Sequence, residues 1–152
     1  MNLTIKSASN ETEIKAAFGL VQALAEHENS ATYLKITEAQ FVEAASEPTP
    51  KIRILVALND NNVVGMATYL ERFHIWNAGN VFVLDDLYVT PEARGHGIGT
   101  KLLETLGQQA KARGVTVKWQ VQADNHGAIA LYKRLGADFY TSGICFWRPE
   151  NI

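Results

Sequence analysis

Val81-Phe-Val-Leu-Asp-Asp-Leu-Tyr-Val89, running on into Thr90-Pro-Glu-Ala-Arg-Gly-His-Gly-Ile-Gly-Thr-Lys-Leu-Leu103, decides how the rest of this chain is read. The first nine residues predict a strand. Gly95, Gly97 and Gly99 predict a sharp turn that a ligand can approach closely, because glycine bends freely and bares its amides. The residues from about Gly99 predict a helix, whose first N–H groups and positive dipole end face into that turn. Such a turn holds an anion, most naturally a phosphate or pyrophosphate.

Two common phosphate binders fail on spacing. A P-loop requires Gly, four residues and then Gly-Lys-Ser/Thr, whereas the order here is Gly99-Thr100-Lys101. A dinucleotide turn requires Gly-x-Gly-x-x-Gly and an acidic residue about 20 positions on. The glycines here are evenly spaced, and the later position reads Lys118-Trp119-Gln120.

Around this centre the chain alternates strands and helices. Residues 3 to 7 predict a first strand. Residues 11 to 27 predict a helix, with Ile14, Phe18, Val21 and Leu24 at helical spacing. Thr37-Glu-Ala-Gln40 is a capping-like start for a second helix, and Glu47-Pro-Thr-Pro50 ends it. Residues 52 to 58 and 63 to 69 predict strands joined by Asn59-Asp-Asn-Asn62, a hairpin signal. After a helix over 100 to 113, Val115, Val117, Trp119 and Val121 alternate as in a strand with one buried face. A short helix to about Leu135 and a last strand near 139 to 147 complete an α/β layout with a mixed sheet.

Composition narrows the functional classes. The chain has 152 residues, enough for one domain with a core, and 47% of them are hydrophobic. A formal net charge of −2 predicts no basic surface for nucleic acid. The apolar runs are too short for a membrane span, and Met1-Asn-Leu-Thr-Ile-Lys-Ser7 lacks the apolar core of a signal peptide. The lone Cys145 allows no intrachain disulfide, suits a reducing cytoplasm, and is expected to be buried in the last strand. His74, His96 and His126 make no metal-ligand spacing with it, so no metal is expected.

The Arg94-Gly-His-Gly-Ile-Gly99 turn resembles that of the GNAT N-acetyltransferase superfamily. A second segment strengthens the resemblance. Ala123-Asp-Asn-His-Gly-Ala-Ile-Ala-Leu-Tyr-Lys-Arg-Leu-Gly-Ala137 looks like the second GNAT signature, with Asn125, Tyr132 and Gly136 in place. The two motifs cover residues 81 to 137. Leu24-Ala-Glu-His-Glu28, Leu34-Lys-Ile-Thr-Glu38, Gly65-Met-Ala-Thr-Tyr69 and Leu84-Asp-Asp-Leu-Tyr-Val89 are similar to the spermidine/spermine (diamine) acetyltransferase branch.

The resemblance implies one GNAT domain over 1–152: a central mixed, mostly antiparallel sheet flanked by helices. It implies acetyl-CoA as co-substrate and a primary amine as acceptor, attacked directly in a ternary complex. The amine would belong to a polyamine, a diamine or an amino-acid side chain. Arg94, Gly95, His96, Gly97, Ile98, Gly99 and Thr100 would hold the pyrophosphate, with Lys133, and also Arg134, near another phosphate. Leu87, Tyr88 and Val89 would meet the cofactor through their backbone, Leu87 at the thioester oxygen, and Asn125 would meet the pantetheine arm. Tyr132 would protonate the departing thiolate, since a phenol of pKa about 10 is protonated at neutral pH. Homodimers are a further family expectation.

An amine of pKa about 10.4 is a free nucleophile in only about one molecule per thousand at neutral pH, so a base is needed. Asp85 and Asp86 are the candidates, because Asp is depleted in strands and alternation sends only one to each face. The resemblance puts Asp85 where the branch has a general-base Glu. The shorter side chain points to a bridging water. Either Asp could instead pair with Arg72 or Lys118 within the sheet. Glu28 matches an acidic substrate position, and Trp76 and Tyr69 could wall an aliphatic cation. The chain departs from the branch at Ser142-Gly-Ile144, where the branch has an acidic residue and a Trp, so spermine-like selectivity is not implied. Two other functions stay open: a protein or peptide acetyltransferase, and a non-catalytic acyl-CoA sensor.

Overall fold

The computed structural model describes residues 1–46 and 48–152. It divides into two compact units, Met1–Trp119 and Gln120–Ile152.

The first unit is built on a five-stranded sheet in the order β1-β2-β3-β4-β5: β1 Leu3–Ser7, β2 Arg53–Asn59, β3 Asn62–His74, β4 Gly79–Val89 and β5 Val117–Lys118. The first four strands pair antiparallel and β5 joins β4 in parallel. The mixed, mostly antiparallel sheet is therefore present. The Asn-Asp-rich hairpin forms with a two-residue loop, in which Asp60 takes φ 54°. Such left-handed backbone is tolerated best by Asn, Asp and Gly.

Helix α1 (Glu11–His27) starts on Asn10, whose side chain accepts from the Glu13 amide at 2.9 Å. Helix α2 (Glu38–Ser46) starts on a reciprocal capping box. The Gln40 amide donates to Thr37 Oγ1 at 3.2 Å, and the Thr37 amide donates to Gln40 Oε1 at 2.9 Å. The expected end of α2 includes Glu47, which lies outside the described residues.

Both helices cover one face of the sheet. Ile14, Ala17, Phe18 and Val21 of α1 and Phe41 of α2 pack with Ile54, Val56, Leu58, Met66 and Tyr88. Burying such side chains contributes about 1.5–3 kcal/mol each. Helix α3 (Ile98–Arg113) covers the opposite face, burying Ile98, Leu102, Leu103, Leu106 and Ala110. There Tyr69 stacks at 5.1 Å on Phe82 and donates its hydroxyl to Gln109 at 3.1 Å.

Gly65 explains how α3 sits so close. A Cβ at this position would lie 3.3 Å from Ile98 Cγ2, 3.3 Å from the Tyr88 carbonyl oxygen and 3.4 Å from Ala57 Cβ. Farther along α3, Arg113 forks onto the Glu71 carboxylate, which also accepts from Asn80 at 2.6 Å and faces Arg53 at 3.7 Å. These contacts hold Glu71 well below its ordinary range, at about 2, with the Arg113 bonds as the main cause.

The second unit holds α4 (His126–Arg134), capped by Asn125. Residues 139 to 147, expected as a final strand, form no strand, and β5 spans two residues instead of the alternating seven. Strand structure belongs to a paired ladder and not to a local pattern. Among the described residues, 139 to 147 has no ladder partner. Cys145, expected to be buried, is exposed there with Tyr140, Ile144, Phe146 and Trp147. Trp147 Nε1 donates to the Asn151 carbonyl at 3.0 Å, and Arg148 lies 5.4 Å over the Phe146 ring.

Candidate active site

The β3–β4 register changes where the two aspartates lie. Thr68 opposes Asp86 but Tyr69 opposes Leu84, so Asp85 is an extra residue in β4, a β-bulge. The bulge resets the alternation. Phe82 and Leu84 share the α3 face with Tyr69, whereas Tyr88 belongs to the α1–α2 face. Asp86 precedes Tyr88 by two and opposes Thr68, so it shares Tyr88's face. Counting from Leu84, Asp85 falls on that face too. The expectation that alternation sends the two carboxylates to opposite faces is thus corrected: the extra residue brings both to one side.

Their environments differ. Asp86 accepts a hydrogen bond from Thr68 Oγ1 at 2.7 Å. Thr68 is the only buried polar residue among those described, and sequence reasoning missed it. The available signal was a hydroxyl in the otherwise apolar run Gly65-Met-Ala-Thr-Tyr69. Asp85 is more exposed. Desolvation by its apolar surroundings raises its pKa above the ordinary carboxylate value, and the neighbouring Asp86 charge adds to this. Neither Asp is bonded to Arg72 or Lys118. Asp86 is satisfied by Thr68 instead.

The same end of β4 leads into the glycine turn. The Thr90 amide donates to the Val64 carbonyl at 2.9 Å, closing the strand. Val64 is itself skipped in the β2–β3 register, where Ala57 opposes Gly65 and Leu58 opposes Val63. A 3-10 turn, Pro91–Ala93, follows. Arg94 folds back, its Nε donating to the Val89 carbonyl at 3.0 Å and its guanidinium lying 5.3 Å over the Tyr88 ring.

Gly95 and Gly97 take φ 81° and 73°, and Gly97 caps α3 without any side-chain hydrogen bond. A Cβ at either glycine would meet nothing within 4 Å, so the turn is an open cradle. The amides of Ile98, Gly99 and Thr100 open α3, and the first N–H groups of a helix have no partner within it. This donor set fits a pyrophosphate. His96 in this turn has Nδ1 at 3.2 Å from the Ala93 carbonyl oxygen. As a donor there, the ring keeps Nε2 for other partners.

β4 pairs with β5 only at Phe82 and Val83. From Leu84 to Val89, the stretch that includes Leu87, Tyr88 and Val89, that side of β4 carries no ladder among the described residues. Glu28 caps the C-terminal end of α1 and is exposed. The preceding His27 meets the Tyr88 ring edge-on at 6.4 Å. Glu28 therefore follows a residue seated on the face that carries Asp86.

The two aromatic candidates do not join this group. Trp76, 93% exposed, lies in the hairpin that precedes Gly79. Six residue steps along β4 separate Gly79 from Asp85, roughly 20 Å along a strand. Tyr69 faces α3.

In the second unit, Asn125 uses Oδ1 to accept from the Ala128 amide at 3.2 Å, leaving its amide nitrogen for other partners. Tyr132 is half-buried on α4, and Lys133 holds its ammonium 5.8 Å over the Phe139 ring. Among the described residues no helix is long and apolar enough to cross a membrane, and no three His, Cys, Asp or Glu residues form a metal-binding group.

The chain is 33% identical over 131 residues to a thialysine N-epsilon-acetyltransferase of Bos taurus, covering 80% of this chain and 76% of that one. It is 33% identical over 102 residues to a D-amino-acid N-acetyltransferase of Saccharomyces cerevisiae, covering 65% and 61%. In fold it is similar to an aminoglycoside acetyltransferase from an uncultured soil metagenomic sample, with a TM-score of 0.78 at 23% identity over 97% of this chain and 99% of the other. The profile of the Acetyltransferase (GNAT) family matches residues 20–137. The bulged acidic strand, the glycine turn and these matches lead to one conclusion: the chain belongs to the GNAT family of N-acetyltransferases.

Proposed function

We propose that the whole chain acts as a single domain that transfers the acetyl group of acetyl-CoA to a primary amine of a small, positively charged molecule. A polyamine, a diamine and an amino-acid side chain are the classes in view. One observation carries this reading: the β4 bulge presents Asp85 and Asp86 on one face, at the end of the strand that runs into the glycine turn. Relatives named for thialysine and D-amino acids support a small acceptor.

In this reading the turn from Arg94 to Thr100 holds the pyrophosphate, and the open edge of β4 at Leu87, Tyr88 and Val89 holds the pantetheine arm. Asn125 and Lys133 add contacts to the arm and to a phosphate. Asp86 and Glu28 attract the acceptor's positive charge. Asp85 takes a proton from the ammonium, through one water, because its side chain is short. Its raised pKa brings it closer to working pH than an ordinary carboxylate. The freed amine attacks the thioester carbonyl directly, a C–N bond forms and the C–S bond breaks. The Leu87 amide meets the negative charge that builds on oxygen, Tyr132 donates its phenolic proton to the leaving sulfur, and the second proton shed by the new amide nitrogen returns to the Tyr132 oxygen.

The test is thiol release from acetyl-CoA across polyamines, lysine analogues, amino sugars and a histone-like peptide. Saturable release with a small amine supports the reading. Release with the peptide alone moves the acceptor to protein. Tight acetyl-CoA binding with no release from any acceptor makes the chain a sensor. We also propose a homodimer in the cytoplasm. The exposed Tyr140, Ile144, Phe146 and Trp147 favour a covering partner, and the free, exposed Cys145 suits a reducing compartment. Analytical ultracentrifugation tests the dimer.

A further inference from the structure

The acetyl-transfer reading assigns no role to Thr68. Its side chain is buried at 3% exposure on the α1–α2 face, opposite Ile54 of β2 and two residues from Met66. A hydroxyl in such a place costs stability unless it is bonded. Its single proton goes to Asp86 Oδ2 at 2.7 Å, the short distance of a hydrogen bond to a carboxylate. Thr68 also directly opposes Asp86, at the position next to the bulge that displaces Asp85.

We propose that Thr68 is a positioning residue for the acceptor amine: its hydroxyl fixes the Asp86 carboxylate so that Asp86 serves as a stationary anchor for the ammonium, while Asp85 handles the proton. The inference rests on the acetyl-transfer reading and divides labour between the two carboxylates. An untethered carboxylate would rotate about its terminal torsion, which has no sharp rotamer wells. With Oδ2 held by Thr68, that torsion is set and Oδ1 remains for the acceptor. Asp85 has no such tether. Its ordinary value is raised by desolvation and by the fixed charge beside it.

Three variants test this by steady-state kinetics with the best small amine from the panel. T68V keeps the β-branched shape and removes only the hydroxyl. It is expected to raise KM for the amine about tenfold or more, the weight of one hydrogen bond to a charged group. KM for acetyl-CoA should stay within about twofold of wild type. T68S should return amine KM to near the wild-type value, which a purely structural role for the methyl group would not allow.

The decisive comparison is a double-mutant cycle with D86A. If Thr68 acts through Asp86, adding T68V to D86A costs less than about twofold. Equal T68V penalties in both backgrounds overturn the proposal. So does a parallel rise in acetyl-CoA KM, or an unchanged amine KM in T68V. Should T68V fail to fold by circular dichroism, T68A carries the same comparison. A wild-type protein that turns over no amine sinks the acetyl-transfer reading, and this inference with it. Turnover with an uncoupled Thr68 sinks this inference alone.

Discussion

Replacing Glu71 by Gln tests how α3 is held to the sheet. Glu71 titrates at about 2 when folded, against its ordinary 4.5, chiefly because Arg113 donates two hydrogen bonds to it. The distance between those values sets a ceiling of ~3.4 kcal/mol at about 1.36 kcal/mol per pH unit. The Glu71 side chain is 12% exposed but Arg113 is 46% exposed. Solvent screens the pair from that side, and about 1–2 kcal/mol is the expected contribution. Because the folded value lies below the unfolded one, this stability is fully present above pH ~4.5 and is lost as pH falls toward 2. Urea unfolding of wild type and Glu71→Gln at pH 6 should therefore differ by about 1–2 kcal/mol, with a melting difference of roughly 3–6 °C. At pH 3 the gap should shrink to less than half. A gap of the same size at both values would refute the ionic account and leave only lost packing.

Other perturbations address the site. Gly97→Ala places a side chain at φ 73°, costing about 1 kcal/mol or more, and should weaken acetyl-CoA binding severalfold by calorimetry with amine KM little changed. Gly65→Ala would press Ile98 and the Tyr88 carbonyl. It should lower stability by about 1–3 kcal/mol in chemical denaturation, and an unchanged midpoint would show that α3 can back away freely. Asp86→Asn removes the charge that helps raise Asp85, so the acid limb of kcat/KM should move to lower pH. A limb that moves up, or stays put, would assign it to another group. Tyr132→Phe should lower kcat by about 10²-fold or more while acetyl-CoA affinity holds. Equal turnover would remove Tyr132 as the acid.

The sequence makes local devices visible and long-range pairings obscure. The Thr37–Gln40 capping box, the Asn-Asp hairpin and the glycine turn all appear where their residue types point, because each is decided within a few positions. The periodic face of α1 is legible for the same reason. The bulge is not. Val-Phe-Val-Leu-Asp-Asp-Leu-Tyr-Val reads as even alternation, and only the partner strand shows that Asp85 has no opposite number. Thr68 was hidden in the same way, since its meaning lies in Asp86, eighteen residues on. The segment 139–147 shows the reverse error: strand-like composition with no ladder among the described residues. Trp76 was attractive as an aromatic, but the hairpin carries it to the far end of β4.

The extra residue at Asp85 has a further consequence. It works as a phase shift in the chain: everything after it is half a period out of step with everything before it. Tyr88 reaches the α1 side, and Val89 lies 4.0 Å from the position a Cβ would take at Gly99, only because Asp85 stays outside the ladder. Changing the identity of residue 85 alters one side chain. Taking Asp85 into the ladder opposite Thr68 would turn Asp86 and Tyr88 toward α3 and Leu87 and Val89 away from it, exchanging the two sides of the strand as it enters the glycine turn. The site is encoded in the pairing of residues as much as in their kind: deleting residue 85 would leave an even ladder with both faces kept, and one carboxylate where that face now carries two.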